Sequence, residues 1–155
     1  MTDTEETKPA DEFELLTFQV GTQEYAIDIM SVREIRGWTK ATPLPHAPPF
    51  VRGVINLRGT VLTIVDLADR LGMGPIQANE RNVIIVVQTG KETVGLLVDA
   101  VSDILAVSKS DLQTPPEMSG DGEQNFISAL MIADERMVRI LALSAALPSE
   151  SLEAA

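Results

Sequence analysis

The stretch Arg52–Leu67, RGVINLRGTVLTIVDL, reads as two apolar strands, Val54–Leu57 and Val61–Asp66, reversing around Arg58-Gly59. Glycine accepts the positive φ that a tight hairpin needs. The second arm is rich in β-branched residues, Val61, Thr63, Ile64 and Val65, which suit a pleated, half-buried surface. Arg58 then sits at the turn, where a long cationic side chain reaches outward. Taken locally, it is a solvated turn arginine.

Upstream of this hairpin, Leu15–Val20 alternates as a strand, Gly21-Thr22-Gln23 turns, and Tyr25–Asp28 returns. In IMSVREI, residues 29–35, Ile29, Val32 and Ile35 recur at helical spacing, which predicts a short helical turn. Arg36–Thr42 reads as a strand. Pro43, Pro45, Pro48 and Pro49 mark an extended loop. Downstream, Leu67–Leu71 is a short helix ended by Gly72 and Gly74, and Pro75–Arg81 is the candidate boundary. NVIIVVQ, residues 82–88, is the continuous apolar run of a strand buried on both faces. Gly90-Lys91 turns the chain into another strand, TVGLLVDAV. Ser110–Gln124 is a polar, Pro- and Gly-rich loop. Phe126–Ala133 and Met137–Leu143 are strands around Asp134-Glu135, and Ser144 is expected to cap a final turn, Ala145–Leu147.

The chain repeats itself. Shifted by 69 residues (85 − 16), Leu16 meets Ile85, Phe18 meets Val87, Val32 meets Val101 and Ile35 meets Ile104. Shifted by 76 (126 − 50), Phe50 meets Phe126, Val61 meets Met137 and Leu71 meets Leu147. The seven extra residues fall in the Pro/Gly loop of the second copy. The physical reading is two small, mostly antiparallel barrels, each with a thin core, that gain stability by burying a shared face. Asn56-Leu57-Arg58-Gly59 aligns with Ile132-Ala133-Asp134-Glu135, so Arg58 is not a repeated structural requirement, which favours a role peculiar to the first copy.

Composition narrows the function. The 155 residues hold no cysteine, which excludes a disulfide scaffold, a thiolate metal site and a cysteine nucleophile. Of the net charge of −11, residues 1–14 carry −5 and Glu150 and Glu153 a further −2, leaving −4 for the middle. Such acidic ends are expected to be disordered tails. No basic footprint for nucleic acid is evident. A signal peptide and a membrane span are not expected, and a cytoplasmic protein is. The single histidine, His46, lies in LPHAPP without a nucleophile in its setting. Asp66/Asp69 and Asp99/Asp103 are read as caps or solvated carboxylates rather than acid–base or metal pairs. Trp38 is read as either an interface anchor or core filling. No constellation supports turnover, and no cofactor or metal is expected.

The segments YAIDIMSVREIRGW, PFVRGVINLRGTVLTIVDL, NVIIVVQ and VGLLVDAVSDIL resemble the CheW family, adaptors that couple chemoreceptors to the histidine kinase CheA. The resemblance spans about residues 13–147. INLRG followed by a β-branched strand ending in DL is its most specific part, shared with CheA's regulatory domain and CheV inside longer proteins. It implies an all-β fold of two SH3-like five-stranded β-barrels related by a pseudo-twofold, with short helical segments. The first barrel would span 13–80 and the second 81–147, between an acidic tail at 1–12 and a C-terminal tail at 148–155. It also implies a non-catalytic adaptor, recruited to membrane receptor arrays by receptor cytoplasmic helices and the CheA regulatory domain. Val32, Glu34, Ile35, Arg58, Val101 and Ile104 would serve receptor binding. Gly53, Val83, Ile84 and Gly95 match strand positions tied to kinase contact. Thr63 departs from the family, standing where many relatives carry proline. Two other readings are a paralogue in a non-chemotactic receptor–kinase pathway and a small-molecule-binding β-barrel.

Overall fold

The computed structural model describes residues 12–77, 79–90, 92–114, 126–133 and 135–147. Ten strands, β1 (Glu12–Val20), β2 (Gln23–Asp28), β3 (Val32–Gly37), β4 (Val51–Leu57), β5 (Thr60–Asp66), β6 (Val83–Thr89), β7 (Glu92–Val98), β8 (Ala100–Ser108), β9 (Ile127–Ala133) and β10 (Arg136–Leu141), form two five-stranded sheets. Two one-turn helices, α1 (Leu67–Arg70) and α2 (Leu143–Ala146), follow β5 and β10. The expected tails at 1–11 and 148–155 lie outside the described residues, as does 115–125 of the Pro/Gly loop. Glu12, assigned to the first tail, begins β1.

The repeat is present in the topology. One sheet runs β3-β6-β7-β5-β4 and the other β8-β1-β2-β10-β9. The 69-residue shift carries β1, β2 and β3 onto β6, β7 and β8. The 76-residue shift carries β4, β5 and α1 onto β9, β10 and α2. The one parallel pairing in each sheet also repeats: Ile64 lies opposite Gly95, and Ile140 opposite Ala26. So do the bonds Asp66 N–H to Phe50 C=O and Ala142 N–H to Phe126 C=O, at 2.7 and 2.6 Å. The isolated bridges Thr42–Val54 and Gln113–Leu130 differ by 71 residues (113 − 42). Two of the seven inserted residues therefore precede Gln113 and five follow it.

The expected boundary near residue 80 separates the repeats but not the barrels. The β1–β2 hairpin belongs to the sheet of β8, β9 and β10, and β6–β7 belongs to the sheet of β3, β4 and β5. Each barrel thus takes a hairpin from the other half of the chain, and the division into 13–80 and 81–147 does not describe them. Alternation along the exchanged hairpins explains why. Leu15 and Ala26 face the interior of their own barrel with Val107, Met131 and Val138. Their neighbours Leu16, Phe18, Tyr25 and Ile27 face the other way, joining Ile85, Val87, Val94 and Leu96 in one larger cluster. These hairpins are buried on both faces, so each forms the wall that its barrel shares with the other. A fully buried side chain of this size contributes roughly 1.5–3 kcal/mol. Eight of them make this shared wall the main adhesion between barrels. Tyr25, stacked on Phe18 with ring centroids 6.3 Å apart, is core here.

Four further expectations are corrected. The helical turn over 29–35 is a 3₁₀ turn at Ile29–Ser31 only, and residues 32–35 belong to β3. The strand expected over Arg36–Thr42 ends at Gly37. TVGLLVDAV is broken at Asp99, where β7 ends and β8 begins. Ser144 lies inside α2, whose N-cap is Ala142, so it is not the cap.

Candidate functional site

The β4–β5 hairpin closes on a two-residue turn, with φ of 52° at Arg58 and 86° at Gly59. Asn56 Oδ1 accepts from the Gly59 N–H at 2.8 Å and holds the turn. From there Arg58 reaches back to the edge strand β3 and donates through Nη2 to Glu34 Oε1 at 2.7 Å. Arg36, two residues on and so on the same strand face, donates to Glu34 Oε2 at 3.2 Å. Sequence reasoning missed Arg36, although the E-x-R spacing of Glu34-Ile35-Arg36 puts both charges on one side. Hydrogen bonding from Arg58 first, and from Arg36 second, holds the Glu34 carboxyl below the usual glutamate range. The pair is exposed at Arg58 and contributes little to stability. Its effect is positional: it ties the hairpin tip to β3.

A β-bulge does the rest. On β3, Val32 is opposite Val87, Glu34 opposite Val86 and Ile35 opposite Ile85, so Arg33 is the extra residue. Without a bulge, residues three apart in a strand face opposite ways. With it, Val32 and Ile35 share the face of Val87 and Ile85, the face turned to the other barrel. The same bulge occurs on β8, where Val101 is opposite Phe18, Asp103 opposite Thr17 and Ile104 opposite Leu16, leaving Ser102 extra. Val32 and Val101 are both partly buried against the one large core cluster. Ile35 and Ile104 stay 47% and 50% exposed. Equivalent edge strands of the two barrels therefore carry equivalent apolar pairs at the margins of the shared wall. All six residues expected at a receptor site lie on β3, on β8 or at the turn tied to β3.

The four positions expected at a kinase contact lie elsewhere, in the first barrel. Ile84 and Gly95 are buried, and Val83 is half-buried. A Cβ on Gly95 would come within 2.8 Å of Ile64 Cδ1 and 2.9 Å of Ile84 Cγ2, so this glycine is part of the barrel filling. Gly53 is buried at φ 138°, and a Cβ there would fall on the Thr42 carbonyl. It lets the 38–43 loop close against β4. Gly53, Ile84 and Gly95 are buried and present no side chain to a partner, whereas Val83 is half-exposed.

The remaining candidates have structural partners. Asp66, buried, accepts from Asp69 N–H at 3.1 Å, from Ile76 N–H at 2.8 Å and from Arg52 Nε at 3.0 Å, which is the capping role expected of it. Asp99 accepts from the Gly21 N–H at 2.5 Å. His46 is an exposed turn residue with φ 65°. Among the described residues no acidic or histidine cluster is arranged to hold a metal ion, and no helix is long and apolar enough to cross a membrane. A cavity of about 380 Å³ lies beneath the 38–43 loop. Its lining includes Trp38, Ile64 and Leu97, with Lys40 and Arg52. Arg52 is already committed to Asp66, so polar groups do not converge there as a small-molecule site needs.

The CheW-like domain family model matches residues 14–151. The chain is 54% identical to the chemotaxis protein CheW of Rhizobium meliloti (strain 1021), over 92% of each chain. It is 34% identical to the chemotaxis protein CheW of Klebsiella aerogenes, over 90% of this chain and 84% of that one. The crystal structure of the scaffolding protein TtCheW from Thermoanaerobacter tengcongensis superposes with a TM-score of 0.77 at 28% identity, covering 83% of this chain and 88% of that one. Two hairpin-exchanged barrels, the INLRG turn and identity across nearly the whole length place the chain in the CheW-like family.

Proposed function

We propose that this chain is a non-catalytic adaptor of chemotaxis signalling. It docks the helical cytoplasmic tip of a chemoreceptor and the regulatory domain of the kinase CheA on the cytoplasmic side of the membrane. The observation that carries the reading is the pair of matched bulges on β3 and β8. They bring Val32 and Ile35 from one barrel, and Val101 and Ile104 from the other, to the margins of one shared wall. An amphipathic helix lays its apolar face along such apolar margins. Glu34 and Arg58 stand on the β3 side and offer charge to the polar flank of that helix. Gly53, Val83, Ile84 and Gly95 influence the kinase contact by fixing the form of the first barrel. Relatives named for chemotaxis favour that pathway over a sister receptor–kinase system.

The test is reconstitution with receptor cytoplasmic fragment and CheA. Wild-type protein raises kinase activity and co-sediments with both partners. Arg58→Glu, which sets two carboxylates against each other at the turn, folds but loses receptor co-sedimentation. A folded Arg58→Glu variant with wild-type binding and activation removes Arg58 from the site.

A further inference from the structure

Arg70 stands outside everything assigned above. It is the last residue of α1, the helix that follows β5 in the first barrel. Its guanidinium lies between two aromatic rings, 4.5 Å from the centroid of Phe50 and 4.7 Å from that of Phe126. These two phenylalanines are repeat counterparts, one leading into β4 and the other into β9. Arg70 also donates through Nε to the Ala146 carbonyl at 2.8 Å and through Nη2 to the Ala145 carbonyl at 3.2 Å. Both acceptors belong to α2 of the second barrel. The repeat counterpart of Arg70 is Ala146 itself (70 + 76), so one arginine serves both copies and the symmetry is broken there. Burial pushes its pKa down from the ordinary guanidinium value, as expected of a cation held between rings rather than in water.

From this geometry we infer that Arg70 is a positioning residue that locks the angle between the barrels, and with it the spacing of the two apolar margins. The shared wall supplies adhesion, but apolar contact is non-directional. A planar group stacked on two rings and hydrogen-bonded to two carbonyls is directional in every contact. Its four partners comprise one ring from the first barrel, and one ring and two carbonyls from the second. Tilting one barrel on the other must break some of them. The part of this inference that concerns receptor affinity rests on the docking surface proposed above. The part that concerns barrel angle does not.

The chain has no native cysteine, so two introduced ones report without background. Val61 on β5 and Met137 on β10 are exposed repeat counterparts, one on each barrel. Spin labels at Val61→Cys and Met137→Cys give the inter-barrel distance by pulsed dipolar spectroscopy in the full chain. The expected distribution is narrow with Arg70 and broader with Arg70→Ala. Arg70→Lys keeps the charge but not the planar fork, and is expected to restore little of the narrowing. Receptor-fragment affinity is expected to fall roughly threefold or more in both variants, although Arg70 is not on the docking surface. Circular dichroism and thermal melting establish that the variants are folded, and Arg70→Lys serves if Arg70→Ala is not. An unchanged distribution in a folded Arg70 variant overturns the proposal. A broadened distribution with unchanged receptor affinity upholds the lock and counts against the docking surface instead.

Discussion

Glu34 is where the chemistry of single residues is most open to measurement. Its carboxylate is held low by Arg58 and then Arg36, so its folded pKa lies below that of the unfolded chain. The stability it contributes is therefore fully present above the ordinary glutamate value of about 4.3 and lost as pH falls through the depressed one. A carboxyl-detected NMR titration should find Glu34 titrating below other exposed glutamates. Arg58→Ala should move it upward. A midpoint unaffected by that change would show that the turn and β3 are not tied in solution. Arg58 itself was legible in the sequence, because Gly59 marked the reversal and the second repeat lacked the arginine. Gly53 and Gly95 were not. A glycine in a strand has two readings, contact with a partner or close approach of the protein to itself. Only the structure shows the Thr42 carbonyl beside one and the Ile64 and Ile84 methyls beside the other.

At the level of elements, most strands could be read from alternation, and the helical turn after β5 from the glycines that end it; the turn after β10 begins two residues earlier than expected, with Ser144 inside it. The edge strand β3 could not be read this way, and the bulge is the reason. An extra residue puts Val32 and Ile35 three apart on one face, which imitates the spacing of a helix. The start of β8 was instead read as the end of TVGLLVDAV, because no turn residue pair marks the break at Asp99. Because Arg33 is unpaired in the register, deleting it should leave β3 regular and still matched to β6, with Val32 and Ile35 on the same face. Such a deletion is expected to melt cooperatively. Deleting Ile85 from the unbulged β6 should instead turn every later side chain of that strand to the wrong face and abolish folding. Thermal unfolding monitored by circular dichroism separates the two. Loss of cooperative unfolding on deleting Arg33 would mean that the bulge is needed for the fold and not only for facing.

For the whole molecule, duplication was visible in the sequence, but exchange was not. Spacing says that two copies exist; it does not say which hairpin completes which barrel. The deciding feature is that the β1–β2 and β6–β7 hairpins are buried on both faces, which suits a wall between two cores. That exchange brings the bulged strands β3 and β8 to the margins of one wall, so the docking surface proposed above takes residues from both barrels. The most direct measurement is a methyl-NMR titration of isoleucine- and valine-labelled protein with a receptor cytoplasmic fragment. Shifts are predicted at Val32, Ile35, Val101 and Ile104 together, with Ile132 and Val138 on the β9–β10 hairpin unmoved. Shifts confined to one barrel, or centred on the β9–β10 hairpin, would contradict a receptor site built across both.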